Sequence, residues 1–262
     1  MREPVKVAAK ADSWKPIPDP EGRYSTGIAD FDRLLGGGFL RGSMALLGMD
    51  ETVGTEDLDL LLFPTLLNLL YHSRGTIAVL PSRDSPHNFR ARLTHYVTRR
   101  RFDSRVRIVD YVGEDQGPPY VVNLRIHEDD PKHPGRQTKS RLAAMAKMVQ
   151  AEKAAQGSRK KSFLELHAFE ALNMLVGAEK ATQMFFYGVK RARSAGNLVI
   201  GLLGPGLACA SAVRRMADTE FELRRDEVGL IIRGIRPSFP SYVVTDDRQA
   251  GPPHVVFVPR PS

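Results

Sequence analysis

Residues 26–57 read TGIADFDRLLGGGFLRGSMALLGMDETVGTED, and the second half of this stretch decides the fold class. An apolar run at residues 44–47 is followed by a loop bracketed by Gly48 and Gly54, and then by a leucine-rich run at residues 58–71. The first run predicts a buried strand and the second predicts a helix. Strand, glycine-bracketed loop and helix, in this order, form the unit that cradles phosphate on a helix N-terminus in P-loop proteins.

The loop lacks the residues that a working phosphate site needs. The working form is G-x-x-x-x-G-K-[ST], whereas five residues separate Gly48 from Gly54 in this chain. Thr55 stands where the lysine belongs, and Glu56 stands where a hydroxyl residue would hold magnesium. A lysine would give bound phosphate charge-assisted hydrogen bonds of roughly 1.5–3 kcal/mol each. The sequence therefore predicts a nucleotide site whose chemistry has been removed.

Acidic side chains surround the place of the missing lysine. The loop and the first helical turn carry Asp50, Glu51, Glu56, Asp57 and Asp59. At close range, carboxylates repel a polyphosphate by about 1–4 kcal/mol per pair, and the helix dipole does not offset several of them. A simpler interpretation is an ordinary strand, turn and helix, because acids in a first turn favour any helix dipole and Thr55 is a good N-cap residue.

Composition predicts a globular protein with few special features. The chain has 262 residues, of which 42% are hydrophobic, enough for one large α/β domain. No apolar run approaches the ~20 residues of a transmembrane helix, and no apolar signal segment opens the chain, so we expect a cytoplasmic protein without membrane contact. With one cysteine, Cys209, and seven histidines without ligand spacing, we expect no disulfide and no metal site. The net charge of +8 favours acidic partners, of which nucleic acid is the commonest.

The domain organisation follows from changes in composition along the chain. Residues 1–23 are rich in proline with little periodicity, and they predict an extended arm that Trp14 anchors. Residues 24–262 predict a single domain, in which the Gly-, Pro- and Asp-rich residues 113–137 form a loop or insertion. The remaining pattern predicts strands at 76–80, 106–111, 162–166 and 198–203, helices at 85–101, 141–156 and 169–194, and a closing hairpin of residues 220–224 and 228–232.

Residues 26–42 resemble the T-G-x-x-x-x-D-x-L-L-G-G-G-x-x-x-G opening of the RecA-like ATPases of the KaiC and RadA branch. In that family this phrase lies directly before the nucleotide loop, so the resemblance favours an altered P-loop over an ordinary turn. It implies a single RecA-like α/β domain, with a mainly parallel twisted sheet, helices on both faces and a C-terminal antiparallel hairpin. The resemblance extends to about residue 259.

The resemblance also indicates which residues occupy the positions of two acidic catalytic residues of the family, and both positions are altered in this chain. Arg83 and Asp84 occupy the position of the family glutamate that activates water, and an arginine cannot act as a general base. Glu165 follows mostly apolar strand residues and takes the Walker B position, where an acid orders magnesium. The alternative for Glu165 is a strand residue that simply faces solvent.

The resemblance also implies a contact with a neighbouring subunit. Residues 233–237, RGIRP, are similar to a family phrase whose lysine and arginine reach the γ-phosphate on the adjacent subunit. Ile231 replaces that lysine, whereas Arg233 remains. We hypothesise that Arg233 or Arg236 of a neighbour meets the acidic loop at Asp50, Glu51 or Glu56, so that a carboxylate replaces the γ-phosphate. The predicted partner is a second copy or an active RecA-like homologue.

Basic clusters raise a nucleic-acid alternative. The candidate contacts are Arg99, Arg100, Arg101, Arg159, Lys160 and Lys161. A solvated helix surface is the simpler interpretation, whereas phosphate contacts to DNA or RNA would bind without sequence preference and weaken steeply with salt.

Three functions follow from these patterns. The first is a non-catalytic RecA/KaiC-like binding, assembly or regulatory subunit, without catalytic residues and without ATP or magnesium as cofactor. The second is a nucleic-acid-binding paralogue that uses the basic clusters. The third is a residual ATP binder or slow ATPase that uses Glu165 with a cation from elsewhere.

Overall fold

A computed structural model describes residues 14–81, 84–110, 117–124, 146–147, 150–151, 153–154, 163–246 and 254–260. Residues 1–13, Arg83, most of 113–137 and the basic residues Arg159, Lys160 and Lys161 lie outside this part of the chain. The same holds for most of the helix predicted at 141–156.

The described strands form one ten-stranded sheet and one small two-stranded sheet. The small sheet pairs β1 (Arg23–Tyr24) with β2 (Phe39–Leu40). The strands of the large sheet are β3 (Met44–Met49), β4 (Thr76–Val79), β5 (Val106–Asp110), β6 (Val121–Asn123), β7 (Leu164–Ala168), β8 (Leu198–Leu203), β9 (Thr219–Asp226), β10 (Gly229–Arg236), β11 (Ser238–Asp246) and β12 (Val255–Pro259). Their order is β12-β11-β10-β9-β3-β8-β7-β4-β5-β6.

Seven neighbouring strands, from β9 to β6, pair in parallel, and β9 to β12 continue as an antiparallel meander. The predicted mainly parallel sheet with a C-terminal antiparallel hairpin is confirmed. The meander is longer than the predicted hairpin, because β11 and β12 extend it by two strands. The sequence does not predict β11 because Pro237 precedes it and Pro240 lies within it, and proline is depleted in strands.

The helices in the described part of the chain are α1 (Ala29–Leu34), α2 (Thr55–Tyr71), α3 (Pro86–Leu93), α4 (Arg99–Arg105), α5 (Phe169–Val176), α6 (Ala178–Ala195) and α7 (Ala210–Met216). Two helices that the sequence predicts as continuous are interrupted. The first breaks before Thr98, whose side chain accepts a hydrogen bond from the Arg101 amide at 3.3 Å and starts α4. The second breaks at Gly177, whose φ of +79° is unfavourable for other residues.

The alternation of β3 divides the core between the two faces of the sheet. Ala45 and Leu47 face the cluster that contains the leucines of α2. Met44 and Leu46 face the opposite cluster, which contains Phe185 of α6 and further side chains of α5 and α7. Helices therefore cover both faces of the parallel region, as expected for an α/β sheet.

Hydrogen bonds within residues 25–42, which include the stretch that resembles the RecA-like ATPases, fix the segment before β3. The buried carboxylate of Asp32 accepts hydrogen bonds from the Thr26 amide at 2.7 Å and from the Ser25 hydroxyl. Gly38 has a φ of +99°, and a Cβ there would lie 2.3 Å from the Tyr24 carbonyl oxygen, so only glycine fits. Trp14 is buried and lies beside Gly27 of this segment, whereas residues 1–13 of the predicted arm lie outside the described residues.

Candidate functional site

The predicted strand, loop and helix are confirmed, and they place the candidate site at the C-terminal end of β3. The strand ends at Met49 and α2 begins at Thr55. The N-cap is Gly54, with extended backbone angles, and not Thr55 as the simpler interpretation of the sequence has it. Glycine is an acceptable N-cap, but it offers no side-chain oxygen to the first amides of the helix.

Asp57, the third residue of α2, supplies the carboxylate for this helix N-terminus. Its Oδ2 accepts a hydrogen bond from the Gly54 amide at 2.9 Å, and its Oδ1 is ion-paired with Arg225 Nη1. Arg225 belongs to β9, the strand next to β3, so both partners come from one chain. The side chain of Asp57 is 8% exposed. A carboxylate with a guanidinium partner thus occupies a position at which P-loop proteins hold an anion.

The loop itself forms a tight turn that is tied to β9. The Asp50 carboxylate accepts hydrogen bonds from the amide of Thr52, at 2.9 Å, and from its hydroxyl. The Asp50 amide donates to the Leu223 carbonyl at 3.2 Å, and the Val53 amide donates to the Asp50 carbonyl at 3.4 Å. The Thr52 hydroxyl oxygen accepts from the Arg225 amide at 2.7 Å. Four loop amides, those of residues 50, 52, 53 and 54, are therefore used within the protein.

These residues do not fit a magnesium-bound nucleoside triphosphate. In a P-loop, successive backbone amides and a lysine point at the phosphates. Here the amides of residues 50, 52, 53 and 54 are occupied, and the guanidinium of Arg225 is bound to Asp57. Glu51 and Glu56 are exposed without a hydrogen-bond or ion-pair partner in the described ranges. We therefore assign no chemical step to a bound nucleotide.

A second cluster of ion pairs contains Asp84, which occupies the sequence position of the residue that activates water in the resembled family. Arg92 of α3 binds Asp84 through two hydrogen bonds of 2.8 and 3.0 Å, and binds Asp59 of α2 through Nε at 2.6 Å. The Asp84 side chain is 4% exposed. Burial raises the pKa of Asp59 to about 6, although Arg92 opposes this rise. A carboxylate bound by both arms of a guanidinium is poorly placed to accept a proton from water.

Glu165 does not lie at the loop, where the predicted Walker B position would place it. It is the second residue of β7 and lies level with Val199, which in turn lies level with Met44 at the start of β3. The strand continues to Ala168, which places Glu165 about 10 Å before the strand end at roughly 3.3 Å per residue. In open α/β sheets, ligands bind at the carboxyl ends of the strands, so a residue that orders a bound metal belongs at that edge.

The surroundings of Glu165 also exclude the solvent-facing alternative. Glu165 is 3% exposed and lies under α6. Its Oε2 lies 3.4 Å from His167 Nε2 and 3.6 Å from Arg191 Nη2. It is thus a buried carboxylate that is held by an imidazole and a guanidinium, on the sheet face opposite to α2.

The two predicted interface arginines are in different situations. Arg236 donates to Glu220 Oε2 at 3.0 Å and to the Ala217 carbonyl at 2.8 Å, so it is engaged within its own chain. Arg233 is exposed and has no hydrogen-bond or ion-pair partner among the described residues. It lines a cleft of about 260 Å³ together with Asp50 of the same chain. The structure therefore brings Arg233, and not Arg236, to the loop.

Three arginines near the loop were missed by sequence reasoning. Arg225 pairs with Asp57, and Arg214 and Arg224 line the cleft with Arg233. The alternating acids and arginines of β9 signal one charged strand face, but nothing in the sequence shows that β9 lies directly beside β3.

The predicted nucleic-acid residues of α4 are only partly free. Arg99 and Arg100 are exposed without a partner in the part of the chain that the structure describes. Arg101 stacks over the Tyr71 ring at 4.1 Å from its centroid. Arg90 is bound by Asp103 at 2.8 and 2.9 Å, and Arg105 donates to the Ser73 carbonyl at 2.9 Å. Most arginines of this region thus have structural partners.

Two further features bear on the candidate site. No group of three or more metal-ligating side chains occurs among the described residues. No helix in the same residues is long and apolar enough to cross a membrane.

Sequence comparison relates the N-terminal part of the chain to GvpD proteins. Residues 13–117 match the family described as GvpD basic region 2. Protein GvpD2 of Halobacterium salinarum is 30% identical over 129 residues, which are 48% of this chain and 25% of that protein. Protein GvpD1 of the same organism is 32% identical over 82 residues, which are 31% of this chain and 15% of that protein. The chain therefore spans a quarter or less of the length of these relatives.

Structural comparison identifies the fold. The KaiC-like protein PH0186 of Pyrococcus horikoshii OT3 superposes with a TM-score of 0.60 and 15% identity, over 92% of this chain and 100% of that one. The uncharacterized protein PH0321 of Pyrococcus horikoshii, solved with an unknown peptide, superposes with a TM-score of 0.56 and 15% identity, over 89% of this chain and 98% of that one. The chain therefore has the RecA-like α/β fold of the KaiC-like proteins and is similar to GvpD proteins across residues 13–117.

Proposed function

We propose that this chain is a non-hydrolytic RecA-like module that acts as a binding, assembly or regulatory subunit. One observation carries the proposal: the Asp57 carboxylate, paired with Arg225, occupies the N-terminus of α2. The KaiC-like fold and the sequence similarity to GvpD proteins across residues 13–117 are compatible with a module of this kind.

The energetics of the loop support this proposal. A phosphate on this helix N-terminus has to displace Asp57 from both of its partners, and hydrogen bonds to charged groups contribute about 1.5–3 kcal/mol each. The displaced carboxylate then lies beside the phosphate with no lysine to compensate for the repulsion. Binding of a nucleotide at this loop therefore gains little free energy, because Asp57 already makes the interactions that a phosphate would make.

Binding of a labelled, non-hydrolysable ATP analogue with magnesium tests the proposal. We expect no saturation for the wild type at micromolar protein, and no phosphate release from ATP above background. Asp57→Ala removes the internal carboxylate and frees the Gly54 amide and Arg225. We expect this variant to gain weak, saturable binding of the analogue without gaining hydrolysis.

Glu56→Ala is the matched control, because Glu56 is an exposed acid in the same helical turn without a partner in the described ranges. It should behave like the wild type. Saturable binding or hydrolysis by the wild type would overturn the proposed function. Equal gains in both variants would show that only the net charge matters, and not the position of Asp57.

Assembly with a second copy or with an active RecA-like homologue belongs to the same proposal. Glu51 and Glu56 on the loop and Arg233 on β10 are exposed charges of opposite sign that the described chain leaves unpaired. Mass photometry of the nucleotide-free protein tests self-assembly, which we expect to weaken in high salt because exposed ion pairs are screened. Assembly that requires ATP would contradict this proposal.

Nucleic-acid binding stays a prediction that rests on Arg99 and Arg100 in the described part of the chain. Titration of single- and double-stranded DNA at increasing salt tests it, since phosphate contacts give a steep salt dependence. Arg99→Gln with Arg100→Gln should then reduce the salt slope, and absence of binding at low salt removes this function.

A further inference from the structure

The cleft beside the loop lies on the opposite sheet face from α2. Gly48 lies level with Glu222 of β9, and Glu222 lies level with Arg233 of β10. Residues in register on adjacent strands share a sheet face, and this is the face of Met44 and Leu46 rather than that of Ala45 and Leu47. The cleft is therefore separate from the helix N-terminus that Asp57 fills.

Three guanidinium groups from three different elements line this cleft. They are Arg214 of α7, Arg224 of β9 and Arg233 of β10. Guanidinium groups bind phosphate and carboxylate through paired hydrogen bonds, and several of them around one cavity favour an oxyanion. Ile231, which shares the sheet face of Arg224 and Arg233, adds apolar surface to the cleft.

Arg214 is held in place before any ligand arrives. Its Nη1 is bound to Glu220 Oε1, and it lies 3.8 Å from Glu222 Oε1. The other Glu220 oxygen is bound by Arg236 at 3.0 Å, and Glu220 itself is 3% exposed. A Cβ at position 48 would lie 3.1 Å from Arg214 Nη2, so Gly48 provides the space for this guanidinium. A group that is ordered in advance loses less entropy on binding.

The lining of the cleft carries a surplus of positive charge. Three arginines face two acids, Asp50 and Glu222, and Asp50 already accepts hydrogen bonds from Thr52. Arg224 and Arg233 are exposed and have no hydrogen-bond or ion-pair partner within the described ranges. Two unpaired guanidinium groups at one cavity are better satisfied by an external anion than by each other.

We infer that this cleft binds a small anionic ligand that carries one phosphate group. Its volume of about 260 Å³ admits a small phosphomonoester. The acids at its rim disfavour a triphosphate, because each added phosphate brings further charge close to a carboxylate. This site is separate from the loop of residues 50–54 and from the helix N-terminus that Asp57 occupies. It rests on the proposed function in one respect: such a ligand could regulate the module without being hydrolysed.

Titration with inorganic phosphate by isothermal calorimetry tests this inference at constant low ionic strength, with chloride as the competing anion. We expect saturable binding at one site per chain. Arg233→Gln and Arg224→Gln should each weaken the affinity about tenfold or more, because each removes charge-assisted hydrogen bonds. Neither arginine has a structural partner among the described residues, so neither variant is expected to unfold the protein.

Arg215→Gln is the matched control, because it removes the same charge from an exposed arginine of α7 that does not line the cleft. It should bind phosphate like the wild type. Equal losses in all three variants would show a general charge effect and overturn the inference, as would a linear, non-saturable titration. Mass photometry without phosphate adds a third arm: if phosphate does not bind and Arg233→Gln instead abolishes self-association, the cleft holds a carboxylate of a second copy and the inference is wrong.

Discussion

Asp59 and Asp84 share one guanidinium, that of Arg92, although both carboxylates are largely buried. Arg92 remains charged, since its hydrogen bonds with Asp84 raise its pKa further above the usual range. Two acids and one cation leave an excess of negative charge in a partly desolvated site. For this reason the cost of ionisation appears at Asp59, where burial raises the pKa to about 6.

This raised pKa predicts how stability depends on pH. The pKa of Asp59 is about 6 in the folded state and 3.8 as the ordinary value, so the folded protein binds the proton more tightly. The resulting stabilisation is complete below pH 4 and is lost as the pH rises through about 6. Asp59→Asn cannot titrate, so the stability of the wild type relative to this variant should fall by about 1–3 kcal/mol between pH 4 and pH 7.

Urea unfolding of both proteins between pH 4 and pH 7.5 measures this difference. Comparison with the variant cancels the other carboxylates of the chain. A difference that is constant across this range, or that grows with pH, would contradict a raised pKa at Asp59.

At the scale of elements, the helical hairpin of α5 and α6 depends on the backbone of Gly177. Its φ of +79° and ψ of 160° belong to a region that only glycine adopts readily, and nothing lies within 4 Å of a Cβ added there. Gly177→Ala should therefore destabilise the protein by roughly 1–3 kcal/mol through backbone strain alone. Thermal unfolding followed by circular dichroism measures the change.

Gly188, within α6, provides the opposite control. A Cβ at this position would meet Glu165 Oε2 at 3.9 Å, an ordinary contact, and no positive φ is required. Alanine is favoured over glycine inside a helix by about 1 kcal/mol, so Gly188→Ala should stabilise the protein. An unchanged or raised melting temperature of Gly177→Ala would show that Gly177 is not a backbone requirement.

Local pattern predicts the elements of this chain better than it predicts their relations. The apolar run before Gly48 and the leucines after Gly54 are sufficient for β3 and α2, because burial and periodicity are properties of short segments. The height of Glu165 along β7 and the position of Arg225 beside Asp57 depend on strand register and on strand order. Neither is encoded in local spacing, so the candidate site was predicted in its loop but not in its ion pairs.

At the scale of the whole molecule, residues 14–19 cross α2 and join the N-terminal segment to the domain. Asn68, which is fully buried, accepts a hydrogen bond from the Ile17 amide at 2.8 Å and donates one to the Ile17 carbonyl at 3.0 Å. His72 Nε2 lies 2.9 Å from the same carbonyl oxygen, and Asp19 is ion-paired with Arg74. Because one side chain bonds to both backbone groups of Ile17, its loss leaves the part-buried Ile17 amide without this partner, which costs free energy.

Asn68→Ala should therefore release this segment before the rest of the molecule unfolds. We expect a loss of about 1–3 kcal/mol in stability and faster proteolysis at residues 14–22, detected by mass spectrometry of the products under native conditions. Asn88→Ala, at an exposed position of α3, is the control and should leave both quantities unchanged. If the two variants are cleaved at the same rate, the segment is held by Trp14 and its apolar contacts rather than by Asn68, because burial of an aromatic side chain alone then accounts for its attachment.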